Sequence, residues 1–145
     1  MACCDIAIAS TEASFCLSET KIGLIPAVIS PYVIAAIGER QAHRYFLTAE
    51  RFSAAEAHKI GLVHLVAEEI ELANTKQQMI KQLLSNSPAA ITAAKDLIAT
   101  VANQDISHNL ITETAKRIAE IRTSPEGQEG LMAFLEKRQP KWAQE

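Results

Sequence analysis

The residue best placed to do chemistry lies in the stretch Phe15-Cys16-Leu17-Ser18-Glu19-Thr20-Lys21-Ile22-Gly23-Leu24-Ile25-Pro26, where an apolar run stops at a single carboxylate and then resumes. Leu17, Ile22 and Ile25 flank Glu19, and apolar neighbours disfavour the charged form of a carboxyl group, which suits it to proton transfer near neutral pH. The competing reading is an ordinary solvated loop carboxylate near Lys21, and residue types alone leave both open. Other reactive residues offer less. His43, His58, His64 and His108 have no partner at ligand spacing such as H-E-x-x-H, and each reads as a surface or satisfied core histidine. Cys3, Cys4 and Cys16 lack metal spacing and read as buried free thiols suited to a reducing compartment. Ser18 lies outside any nucleophile-elbow pattern, which argues against a serine hydrolase.

The elements that must position Glu19 follow from apolar periodicity. Asp5 to Ala9 and Ser14 to Leu17 read as two short strands separated by the polar turn Ser10-Thr11-Glu12. Ser30-Pro31 predicts a helix start with Ser as N-cap, bearing Val33, Ile34 and Ile37, and Gly38 is placed to end it. Glu39 to Leu47 continues as a second helix with Ala42, Tyr45 and Phe46 inward. Ser53-Ala54-Ala55-Glu56 fits a capping box for a short helix stopped by Gly61, and Leu62 to Val66 is rich in strand formers. From about Glu68 the pattern is helical throughout. Leu72, Met79, Ile80, Leu83 and Leu84 share one face, and new helices start at Ser87-Pro88, near Ile106 and at Ser124-Pro125, the last bearing Leu131, Phe134 and Leu135. The expected division is residues 1–67, mixed α/β, and residues 68–145, helical.

With 48% hydrophobic and 21% charged residues among 145, the chain has the composition of a packed globular domain. A net charge of −3 with scattered Lys and Arg gives no basic face for nucleic acid. No apolar run approaches the roughly 20 residues of a membrane helix, and no signal core opens the sequence. The expectation is a cytoplasmic protein with neither nucleic acid nor membrane as partner.

The blocks "ACCDIAIAS…ASFCLSETKIGLIP", "AIGERQAHRYFLTAERFSAAEAHKIGLVHLV" and "SPEGQEGLMAFLEKRQPKW" resemble the second half of an enoyl-CoA hydratase/isomerase (crotonase) chain. "IPAVISPYV" is most similar to members of the methylglutaconyl-CoA hydratase type. The resemblance implies a partial crotonase (ClpP/crotonase-like) α/β fold with a few short strands and a helical C-terminal region. It implies an acyl-CoA substrate, no other cofactor and no metal, and a homo-oligomer, trimer or hexamer. Glu19 stands where the family has a general acid/base beside the acyl chain, with Leu17 and Pro26 at the substrate. Phe134 and Lys137 resemble last-helix residues that reach a CoA held largely by another subunit. Spacing alone favours Phe134 as core, and equally allows Lys137, Arg138 and Lys141 as charges favouring a helix C-terminus.

Hydration in this family passes through a thioester enolate whose oxygen meets preorganised N–H donors. All five glycines, Gly23, Gly38, Gly61, Gly127 and Gly130, lack a glycine neighbour. By resemblance, the Gly-rich turn that supplies one donor, and a second Glu near it, would precede Met1. The chain is therefore expected to be the C-terminal part of a hydratase and inactive alone. Isomerisation, for which one carboxylate suffices, and a non-catalytic oligomerisation module are the alternatives. The segment Ala27-Val28-Ile29-Ser30-Pro31-Tyr32-Val33, with branched apolar groups and a Pro, would as a pocket wall favour a bulky or branched acyl group, or would serve only to pack the helix entry.

Overall fold

The computed structural model describes residues 1–143 and separates into two compact units, Met1–Gln78 and a second beginning at Met79. In the first unit, strand β1 (Ile8–Ser10) pairs in parallel with β4 (Leu65–Ala67), and β2 (Ser14–Phe15) pairs antiparallel with β3 (Phe52–Ser53). Helices α1 (Ser30–Thr48) and α2 (Ala54–Lys59) lie within the crossover from β1 to β4. Parallel strands need such a crossover, whereas the antiparallel pair needs only a return of the chain.

Strand β4 begins later than the Leu62 start that β-propensity predicts. The amides of Leu62 and Val63 both donate to the Ala57 carbonyl, at 2.8 and 3.3 Å, closing α2 instead of extending the sheet. Gly61, at φ 85°, makes that reversal, and a Cβ there would approach the Ala36 carbonyl oxygen at 3.2 Å. The predicted strand from Asp5 also starts later, because Cys4 N–H turns back onto the Met1 carbonyl at 2.9 Å. This turn leaves Cys3 and Cys4 exposed, contrary to the expectation of buried thiols, while Cys16 is half-buried.

Gly38 interrupts α1 as its sequence position predicts: at φ 75° and ψ 159° it breaks the helix into two segments. Ser30 is not the cap of this helix. Ile29 already has helical angles, the Ser30 amide donates to the Pro26 carbonyl at 3.0 Å, and the Ser30 hydroxyl donates to the Ala27 carbonyl at 2.9 Å. Ser53 does cap α2, accepting from Glu56 N–H at 3.2 Å. The Glu56 carboxylate accepts instead from the Tyr45 hydroxyl at 3.1 Å.

That bond lies under the core of the first unit. Tyr45 has no exposed surface, and its ring meets Phe52 at 4.2 Å between centroids, with Phe15 a further 5.6 Å step across the β2–β3 pair. Val33, Ile37, Ala42, Ala54, Ala57, Leu62 and Val63 close around them. Burial, and then the bond to Glu56, raise the pKa of the Tyr45 hydroxyl above its ordinary value, making it a weaker acid.

Helix α3 (Leu72–Leu84) begins in the first unit and ends in the second, which holds α4 (Pro88–Val101), α5 (His108–Thr123) and α6 (Pro125–Leu135). Ser87, Ser107 and Ser124 cap α4, α5 and α6 by accepting from Ala90, Leu110 and Gly127 N–H. Glu126, in the first turn of α6, accepts from Ser87 Oγ and from Ala89 N–H, so one helix start secures another. Arg138 grips Glu129 through two bonds and holds its carboxyl down to about 2, from the ordinary 4.5. Trp142 covers Gly130 and donates to the Ser85 carbonyl at 3.3 Å. Among the described residues no helix is long and apolar enough to cross a membrane.

The α5–α6 corner is too tight for any side chain at Gly127, where a Cβ would run into the Ile121 carbonyl oxygen. Gly127→Ala is expected to destabilise the chain by about 1–3 kcal/mol, as overpacking does, read as a lower urea midpoint. A midpoint unchanged or raised would show that the corner is loose.

Candidate active site

Glu19 opens a 3-10 turn, Glu19–Ile22, between β2 and α1. Lys21 N–H donates to the Ser18 carbonyl at 3.0 Å, and Leu24 N–H donates back to the Glu19 carbonyl at 3.0 Å. Gly23, at φ 78°, is the left-handed residue that lets the turn close, and the space around its Cα is open. Glycine is needed there for its backbone angle alone.

The turn places one oxygen of the Glu19 carboxylate, Oε2, out of solvent with no hydrogen-bond partner among the described residues. Buried polar atoms are paired in the great majority of cases, and an orphaned carboxylate oxygen calls for a reason beyond packing. The solvated-loop reading is therefore set aside for this oxygen. The flanking residues are not what shields it, however. Ile22 and Ile25 are each 74% exposed, pointing away from the fold, and only Leu17 of the three expected neighbours is partly buried.

A cavity of about 250 Å³ is lined by Phe15, Leu17, Ile29, Tyr32, Ile37 and Phe52 among others, and Glu19 is not part of its lining. Its wall is almost wholly apolar and contains no carboxylate. Leu17, expected at the substrate, does line it. Pro26 is buried and accepts from Ser30 N–H, but it supports the start of α1 and does not line this cavity. Ile29, Tyr32 and Val33 place the "IPAVISPYV" segment on the wall, whereas Val28 is 86% exposed. Tyr32 falls in the segment read as a possible pocket wall, whereas the aromatic residues Phe15 and Phe52 escaped the sequence reading as cavity residues, although strand alternation could have grouped them.

Phe134 and Lys137 belong to the second unit. Phe134 is 81% exposed, so the reading of this position as core is wrong; Ala133 is the α6 residue that packs inward. Lys137 sits just past α6 at φ 54°, a left-handed helix exit. His64 Nδ1 accepts from Ala7 N–H at 3.1 Å, a structural bond at the head of the parallel strand pair.

The enoyl-CoA hydratase/isomerase profile matches residues 1–145. The chain belongs to the enoyl-CoA hydratase/isomerase family. It is similar to the crystal structure of an enoyl-CoA hydratase from Shewanella pealeana, at 52% identity and TM-score 0.91, covering 97% of this chain and 52% of that one. An enoyl-CoA hydratase/isomerase from Marinobacter aquaeolei is similar at 40% identity and TM-score 0.92, over 99% of this chain and 54% of that one. A short-chain-enoyl-CoA hydratase of Clostridium acetobutylicum is 32% identical over 136 residues, which is 93% of this chain and 52% of the relative. The chain spans about half the length of the curated relatives it matches. Its fold is accordingly the crotonase fold, mixed α/β with few short strands and a mostly helical remainder.

A neutral side chain of the same shape at position 19 would avoid desolvating an unpaired charged group. Glu19→Gln is expected to stabilise the chain by about 1 kcal/mol, the scale on which unpaired buried polar groups weigh against folding. Urea unfolding measures it, and a lower midpoint for the variant would mean that the carboxylate is satisfied in solution.

Proposed function

We propose that this chain contributes the acid/base half of an enoyl-CoA hydratase site, with Glu19 moving the proton in reversible addition of water to a 2-enoyl-CoA thioester. The observation that carries the reading is the buried, unpartnered Oε2 of Glu19, two residues along the chain from Leu17, which lines an apolar cavity. An unpaired acid beside an acyl-sized apolar wall is what proton transfer at a carbon next to a thioester requires. Hydratase names among the similar proteins favour the same reaction. Ile29, Tyr32 and Val33 on the wall favour a branched, methylglutaconyl-like acyl group. Phe134 and Lys137 are proposed to meet the CoA moiety. The exposed apolar residues of the second unit, such as Ile98, Ile118 and Leu135, support assembly as a homo-oligomer, a trimer or hexamer.

One observation favours double-bond isomerisation as the second reading: the cavity wall carries no carboxylate to hold an attacking water, and isomerisation needs only the one acid, Glu19. The sequence also has no adjacent glycines to form an amide cradle for the enolate oxygen, so the 145-residue chain is expected to turn over little by itself. Loss of one oxyanion donor already lowers rates by roughly 10²- to 10³-fold.

The test joins this chain to the part of the Shewanella pealeana hydratase that it does not cover, and assays the fusion with straight and branched 2-enoyl-CoA and with 3-enoyl-CoA. Hydration is expected, faster with the branched substrate, and Glu19→Gln is expected to lower kcat/KM by roughly 10²- to 10⁴-fold. Product from the 3-enoyl substrate alone would select isomerisation. Turnover indifferent to Glu19→Gln would remove Glu19 from the mechanism.

A further inference from the structure

The turn carrying Glu19 is fastened to α1 immediately after the carboxylate. Thr20 Oγ1 donates to the Phe46 carbonyl at 3.0 Å, across 26 positions of sequence. Phe46 lies in the last turn of α1, where carbonyls have no partner within the helix. The amide that would otherwise close on it, Glu50 N–H, donates to Thr48 Oγ1 at 3.3 Å. A second fastening precedes the carboxylate: Cys16 Sγ donates to the carbonyl of Ala49, the left-handed residue that ends the same helix, at 3.3 Å. Glu19 is thus bracketed by two side-chain bonds to one helix end.

Because no hydrogen bond holds Oε2, only the placement of the turn keeps that oxygen out of water, where it would otherwise be better solvated. We propose that Thr20 is a positioning residue, whose hydroxyl fixes the turn against α1 and thereby keeps Oε2 of Glu19 buried and unpartnered. The Cys16 bond involves a weak thiol donor and acts as the lesser fastening. The inference rests on the reading of Glu19 as the acid/base, but its test needs no turnover, so the two can fail separately.

The experiment is a double-mutant cycle on the full 145-residue chain, read as urea midpoints. Glu19→Gln is combined with Thr20→Val, which removes the hydroxyl at constant shape, and with Thr20→Ser, which keeps it. Glu19→Gln is expected to raise the midpoint in the wild-type background, to lose about half or more of that rise beside Thr20→Val, and to regain it beside Thr20→Ser, since residues that share one arrangement couple and independent ones add. A hydroxyl that only stabilises the fold would lower the midpoint while leaving the rise intact, and that result overturns the proposal. So does the absence of any rise in the wild-type background. Should Thr20→Val fail to fold, Thr20→Ser decides: a diminished rise in that background also overturns it.

Discussion

The constraint on which the site depends is an acid kept dry without a partner. Folding ordinarily pairs buried polar atoms or leaves them in water, and a carboxylate oxygen that has neither must be held by everything around it. Here the holding elements are few: a 3-10 turn closed by Gly23, and two side-chain bonds onto the end of α1. The end of α1 is in turn fixed from beneath, because Tyr45 is locked between Phe52 and Glu56 and carries no exposed surface. The core of the first unit therefore supports the site through one helix terminus.

A second feature of the fold is the apolar surface it leaves in water. Ile22, Leu24, Ile25 and Val28 are all more than half exposed, and so are Ile98, Ile111, Ile118, Phe134 and Leu135 in the second unit. Contiguous apolar surface of this kind usually marks a place where protein packs on protein. Strands β1 and β4 pair only with each other, and β2 and β3 likewise, so both small sheets keep unpaired edges among the described residues. Short edges of this kind are tolerated, but they are also where a sheet accepts further strands.

Much of the architecture was legible in the sequence because it rests on local rules. Serine caps at Ser53, Ser87 and Ser124, the break at Gly38 and the reversal at Gly61 all follow from backbone chemistry confined to a few residues. Errors arose where a competing partner overrode the expected one. The Ser30-Pro31 signal was displaced by a bond to Pro26, the Leu62 amide was taken by Ala57, and Glu56 turned from its own cap to Tyr45. The site was legible only in part. Glu19 was identifiable as a carboxylate set in an apolar run, but Ile22 and Ile25 beside it are exposed and do not bury it. Phe15 and Phe52 on the cavity wall and Thr20 on Phe46 are consequences of tertiary geometry that no period or motif encodes.

The most direct measurement is carbodiimide-driven labelling of carboxylates in the folded chain, followed residue by residue with mass spectrometry. Glu39, whose side chain is 84% exposed, is the internal reference for a freely solvated glutamate. Slow labelling of Glu19, several-fold below Glu39 in the native state and equal to it once the chain is unfolded in urea, is the predicted result. Equal rates in the native state would mean that the Glu19 carboxylate stands in water, and would contradict the central claim.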